Sequence, residues 1–268
     1  MREQSVRQVQ NKILEIMKYI DNLCRENGIV YFIMGGTALG AVRHGGFIPW
    51  DDDIDVAMPR KDYNEFLKIC STELNKDYKV DSIQNNENYW LPMIKLRKVN
   101  TIYEESIMKN TDYNGPKGVW IDVLPLDNAT EKGIFQLLRS RIVKETRIWA
   151  GLNNNFENPK KLKKIRKFFA SFFSNKSLLK FQTYIMTLNK NEDSRCYINF
   201  ASKYKHKKYI IPKDKYFPAK KMLFEGKEYN VPNDYDYVLK KVYGNYMEMP
   251  PIDQQENHGI GILIVKND

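Results

Sequence analysis

Met34-Gly35-Gly36-Thr37-Ala38-Leu39-Gly40, running through Arg43-His44-Gly45-Gly46 to Trp50-Asp51-Asp52-Asp53-Ile54-Asp55-Val56, is the stretch that decides the fold. It follows Ile29 to Met34, an apolar run too short for an independent helix and closed by two glycines, which reads as a buried strand. Thr37 is placed to cap a helix that continues through Arg43. Gly45 to Trp50 has loop chemistry, and Asp53 to Met58 reads as a strand ended by Pro59. The order is therefore strand, glycine turn, helix, loop, strand.

The second strand of that unit carries the chemistry. Side chains alternate along a strand, so Asp53 and Asp55 share one face while Ile54 and Val56 turn to the core. Asp51 has the same parity if the strand begins that early. Two carboxylates about 5 to 7 Å apart repel by roughly 1 kcal/mol or more at an effective dielectric near 20, which a cation between them relieves. Oxygen ligands without nearby His or Cys favour Mg²⁺ or Mn²⁺. Gly35, Gly36 and Thr37 would supply backbone N–H groups at a helix N-terminus for an anion. A third carboxylate, Asp122 between Ile121 and Val123, would complete a metal clamp, or else cap a helix or pair with Lys117. Asp127, just beyond Pro125, reads as a turn residue.

Working outward, Val6, Val9, Ile13, Ile16, Met17, Ile20, Leu23 and Cys24 recur at helical spacing before Asn27-Gly28, giving a helix over about residues 5 to 27. Asp62 to Leu74 reads as a second, with Tyr63, Phe66, Leu67 and Cys70 on one face. Strands are expected at Tyr78 to Ile83, Trp90 to Leu96, Thr101 to Tyr103 and Gly118 to Pro125, and Pro92 argues that its strand lies at an edge. Lys221 to Phe224 and Glu228 to Val231 form a hairpin around Gly226. A helix covers Asp234 to Tyr243, and Gly259 to Val265 is an apolar tail suited to docking on the core. The expected organisation is a catalytic core over 1–130, a basic, mostly helical segment over 131–200, and a hairpin and helix over 201–268 that pack on the core.

With 268 residues, 42% of them hydrophobic, the chain can bury a sizeable core, and its net charge of +10 favours an acidic partner. Cys24, Cys70 and Cys196 are odd in number and scattered, which suggests neither a disulfide framework nor a zinc site and points to a reducing, cytoplasmic setting. No apolar run approaches eighteen residues. From Arg139 to Gln182 twelve Lys or Arg stand against Glu145 and Glu157, an excess equal to the net charge of the whole chain. Lys160 to Phe169, followed by Phe172-Phe173, has the make-up of a basic amphipathic helix, whose aromatic face can meet a membrane or pack on the protein.

The block from Gly35 to Val56 resembles the signature of the LicD family of phosphotransferases, to which the fukutin-type proteins are related. The likeness continues at Gly118 to Asp127, Phe224-Glu225-Gly226, Tyr243 to Met247, Pro250-Pro251 and His258. The resemblance implies an α+β fold with a polymerase-beta-like nucleotidyltransferase core, a mixed sheet flanked by helices. It implies transfer of a substituted phosphate from a CDP-linked donor, typically CDP-choline, to a sugar hydroxyl of a cell-surface glycan precursor such as teichoic acid, capsule or lipopolysaccharide. Other members use CDP-glycerol or CDP-ribitol. Asp53, Asp55 and Asp122 match the family's acidic positions, and Gly36 and Thr37 its phosphate-contacting turn. Gly45 and Gln255 depart from it where relatives often carry a basic residue.

Arg43 and Lys95 are further candidates for phosphate oxygens, though Arg43 also suits a helix C-terminus and Lys95 projects opposite Ile94 and Leu96, on a face that is either the site's or its reverse. His44 and His258 are candidate binding residues or loop hydrogen-bonders, Trp50 stacks on a base or anchors a loop, and His206, among lysines, reads as solvated. A nucleotidyl transfer from an NTP is the alternative reaction. A nucleic-acid binder built on the basic segment leaves the carboxylates unexplained, so no nucleic acid is expected. The basic segment would instead hold the enzyme at the inner face of the cytoplasmic membrane, near a lipid-linked acceptor.

Overall fold

In the computed structural model, residues 2–105, 111–155, 163–190, 193–202, 206–255 and 259–265 are described. The N-terminal helix α1 (Arg2–Glu26) carries Val9, Ile13, Ile16, Met17 and Ile20 on one stripe, all buried. Helical periodicity makes that stripe continuous, and it covers one face of a mixed sheet. The strands beneath it are β1 (Phe32–Met34), β2 (Asp55–Pro59), β3 (Tyr78–Asp81), β4 (Ile94–Lys98) and β6 (Trp120–Ala129). Another, β5 (Thr101–Glu105), lies outside this sheet and pairs antiparallel with β11 (Gly259–Val265). The apolar tail is thus a strand added to β5.

The sheet order is β1-β2-β6-β4-β3, with β2 parallel to β6 and the other neighbours antiparallel. Val56, Ile94, Leu96, Ile121 and Val123 meet α1 and the buried Tyr63, Phe66, Ile69 and Cys70 of α3 (Arg60–Thr72). On the opposite face Phe32, Met34, Ala57, Leu124 and Leu126 pack with Ala201, Ile211, Tyr216 and Val238. Period-two alternation thus separates two apolar layers, and the functional face is the second of them.

Several boundaries differ from expectation. The helix after the glycine turn, α2 (Gly35–His44), begins at Gly35, so Thr37 lies inside it rather than capping it. The strand after the acidic run begins only at Asp55, leaving Asp51 to Ile54 irregular. Pro92 lies outside β4, which is flanked by β6 and β3 and is therefore an interior strand. Strand β6 continues through Pro125 because its pairing to β4 stops at Val123 and that to β7 (Cys196–Ile198) begins at Asp127, so the missing N–H falls in the gap. Asp127 is consequently not a turn residue: it is buried and accepts from Arg60 Nε and Nη2 at 2.7 and 2.8 Å.

Strand β8 (Ile210–Pro212) extends the sheet through β7. The expected hairpin is β9 (Lys220–Phe224) and β10 (Lys227–Val231), with Glu225 and Gly226 both at positive φ, as a two-residue turn matched to strand twist requires. Three helices, α4 (Ile134–Asn153), α5 (Lys163–Ala170) and α6 (Asn175–Met186), follow β6, and α7 (Tyr235–Tyr243) is capped by Asp234. Arg139 at the start of α4 donates to Ile185 O, Met186 O and Asn128 O, closing the end of α6 and the end of β6 together. His206 is not solvated; it stands edge-on to Phe200, and burial with the nearby Arg147 pushes its pKa down to about 4. All three cysteines are free and buried.

Candidate active site

One row of residues crosses the sheet on its second face: Met34 pairs with Asp55, Asp55 with Asp122, Asp122 with Lys95, and Lys95 with Asp81. Register places these side chains side by side, because neighbouring strands stand about 4.8 Å apart. Asp53 joins from the irregular segment just before β2. Ligand atoms of Asp53, Asp55 and Asp122 all lie within 4.8 Å of one another. At that spacing each ionised pair repels by at least about 3 kcal/mol at an effective dielectric near 20.

The glycine turn is built against these acids. Gly35 has φ +59°, and a Cβ there would stand 2.3 Å from Asp55 Oδ2; one on Gly36 would stand 2.8 Å from Asp51 Oδ2. The chain passes from β1 into α2 without an intervening residue, and only glycine combines that φ with so close an approach. Thr37 is buried, and its Oγ1 accepts from Asp55 N at 2.9 Å, which pins the start of β2 to α2. The first turn of α2 therefore faces carboxylates, and its N-terminal dipole favours their charge. Asp52 turns inward and accepts from Tyr103 Oη at 2.7 Å.

Lys95 is at the site but is already engaged. With only 2% of its side chain exposed, its Nζ lies 2.6 Å from Asp122 Oδ1 and 2.9 Å from Glu105 Oε2, and 5.0 Å over the Trp120 ring. Glu105 in turn pairs with Arg97, whose Nε is 3.0 Å from Asp81 Oδ2 and whose Nη1 donates to Gly118 O. The expected role of Lys95 as a free phosphate contact is replaced by one as the partner of Asp122. The cation 2.6 Å from Asp122 is thus Lys95, where the sequence also offered Lys117. Burial opposes the charge on Lys95, but Asp122 and Glu105 outweigh it and raise its pKa. Burial, with Glu105 and Asp53 adding to it, pushes the Asp122 carboxyl up to about 6 despite Lys95.

Arg43 and His44 are not brought to the carboxylates. They end α2, about 12 Å from Gly35 along an axis rising 1.5 Å per residue. Arg43 donates to Tyr246 O and Glu248 O at 3.0 and 3.1 Å and to His44 Nε2, tying α2 to the segment after α7. His258 lies outside the described residues. Trp50 packs against the cluster of Ala38, Leu39, Ile48, Leu239 and Tyr246, the anchoring alternative. Sequence reasoning missed Glu105, Arg97 and Asp81. The signal available was Lys95 and Arg97 alternating with Ile94 and Leu96, two cations on the inward parity of a strand.

Three carboxylates converging on one point, with no His or Cys among them, suit a hard divalent cation, and the space that a Cβ of Gly35 would fill is held open beside Asp55.

The model of the LicD/FKTN/FKRP nucleotidyltransferase domain matches residues 28–116, which include Asp53 and Asp55 and stop short of Asp122. The chain is 30% identical over 273 aligned residues to the lipopolysaccharide cholinephosphotransferase LicD of Haemophilus influenzae, covering 97% of this chain and 98% of the relative. It is 40% identical over 59 residues to the human ribitol 5-phosphate transferase FKRP, covering 22% of this chain and 12% of that protein. A mixed sheet flanked by helices, an acidic cluster at the centre of that sheet and likeness along nearly the whole length agree: the chain belongs to the LicD family and is a phosphotransferase of that type.

Proposed function

We propose that the protein transfers phosphocholine from CDP-choline to a sugar hydroxyl of a cell-surface glycan precursor, releasing CMP. The observation that carries this reading is the convergence of Asp53, Asp55 and Asp122 in a chain alignable end to end with a cholinephosphotransferase. Asp53 and Asp55 would hold Mg²⁺ or Mn²⁺, whose chemistry when bound is to neutralise charge on the donor phosphates. Lys95 orients Asp122 through Oδ1, leaving Oδ2 to accept the proton of the acceptor hydroxyl. The hydroxyl oxygen forms the new bond to phosphorus, the bond from phosphorus to the CMP oxygen breaks, and CMP leaves. Gly35 and Gly36 keep the first turn of α2 against the acids, so positioning supplies most of the effect.

The match to a ribitol 5-phosphate transferase favours a second reading in which the transferred group is glycerol or ribitol phosphate from its CDP derivative. Thermal shift with Mg²⁺ and CDP-choline, CDP-glycerol, CDP-ribitol or CTP ranks the donors. Product analysis distinguishes release of CMP from the release of pyrophosphate that a nucleotidyl transfer would give. Asp53→Asn is expected to lower CMP release by about a hundredfold or more with the fold intact. Retained turnover in that variant would overturn the site.

A further inference from the structure

We propose that α5, together with the exposed aromatic and lysine side chains of α6, forms a docking surface for an anionic phospholipid bilayer. Helix α5 is mounted inside out. Ile165, Phe168 and Phe169 share one face of the helix and Phe172 follows in the turn after it, yet they are 58%, 61%, 50% and 66% exposed. The stripe that faces the protein is instead Arg166, paired with Glu145 of α4 at 2.9 Å, and Ala170, fully buried. The aromatic rings pack on one another, Phe168 against Phe169 and Phe172 at 5.6 and 5.2 Å, rather than into the core. Phe173 is half exposed beside Trp149, and Phe181 and Tyr184 stand out from α6 one turn apart.

Charge selects the occupant. Between Ile134 and Lys190 the acidic residues are Glu145, already paired with Arg166, and Glu157. Lys176 and Lys180 are exposed on α6, within four positions in the chain of Phe172, Phe173, Phe181 and Tyr184. Solvent-facing Phe and Tyr with neighbouring Lys is the composition that seats at the boundary of headgroups and acyl chains, where rings are buried shallowly and ammonium groups meet anionic lipid. A second copy of this chain would bring the same positive charge against itself, which disfavours self-association through this surface. Arg139 and Arg147 of the basic segment are spent on carbonyl groups inside the fold, so the surface is narrower than the segment that contains it. The proposal does not depend on which phosphate group is transferred.

The test is co-sedimentation of the full chain with vesicles of phosphatidylcholine alone or mixed with phosphatidylglycerol. Binding is expected to the mixed vesicles and to weaken as salt rises. Replacing both Lys176 and Lys180 by Glu should lower partitioning by more than about twentyfold, from about fivefold for each lysine lost. Phe168→Ser with Phe172→Ser should lower it by about tenfold or more, with the thermal midpoint unchanged because neither ring is in the core. Equal binding to both vesicle types, absence of binding to either, or full binding by the Phe168 and Phe172 double variant would overturn the proposal. So would a dimer in light scattering that the same two substitutions dissolve, since the surface would then belong to a second copy.

Discussion

At the scale of the residue, the site is decided by which charges are paired. Lys95 offsets two carboxylates that burial would otherwise make prohibitive, and it does so from the strand next to Asp122. Removing one partner of a buried pair leaves the other unpaired, so Lys95→Met is expected to cost about 3 to 5 kcal/mol in denaturant unfolding. Adding Glu105→Gln to that variant should return part of the loss, because the two residues are coupled. Gly35→Ala is expected to lower phosphotransfer far more than stability. The positive φ costs about 1 to 2 kcal/mol, whereas the added Cβ must displace the Asp55 carboxylate it meets at 2.3 Å. A variant with normal turnover would show that Asp55 does not need its position.

At the scale of the element, the β9–β10 hairpin is a clasp. Glu225 at its turn accepts from Arg7 Nη1 and Nη2 at 2.9 and 2.6 Å and from Phe47 N at 3.1 Å, joining α1, the hairpin and the loop before the acidic run. The hydrogen bonds from Arg7 hold its carboxyl below the ordinary glutamate range, against partial burial. A depressed carboxyl contributes stability that is fully present above the unfolded value, about 4.3, and that is lost as pH falls through the lower folded value. Glu225→Gln should therefore lower the melting temperature at pH 7 and show a smaller loss on acidification than the parent. Equal acid limbs in the two proteins would remove Glu225 from this role. The hairpin and α7 were legible from turn residues and a cap, which are local. The clasp was not, since Arg7 and Glu225 are 218 positions apart.

At the scale of the whole molecule, stability is graded outward from the central row. Strands β2, β4 and β6 are covered by apolar layers or buried ion pairs, whereas α5 presents its apolar face to solvent. Hydrogen exchange should find amides of β6 opening only with global unfolding and those of α5 opening locally. Comparable protection in the two would contradict that grading. Legible in the chain alone were the glycine turn, a strand following the acidic run, the amphipathic α1 and the membership in a phosphate-transferring family, because each rests on residues adjacent in the chain or on periodicity. Only the tertiary structure decided that Asp122 stands beside Asp55, that Lys95 serves Asp122, that Asp127 meets Arg60 and that the aromatic stripe of α5 faces outward. Strand register and helix mounting bring together residues far apart in the chain. They depend on how the whole set of apolar faces is buried at once, which no local stretch encodes.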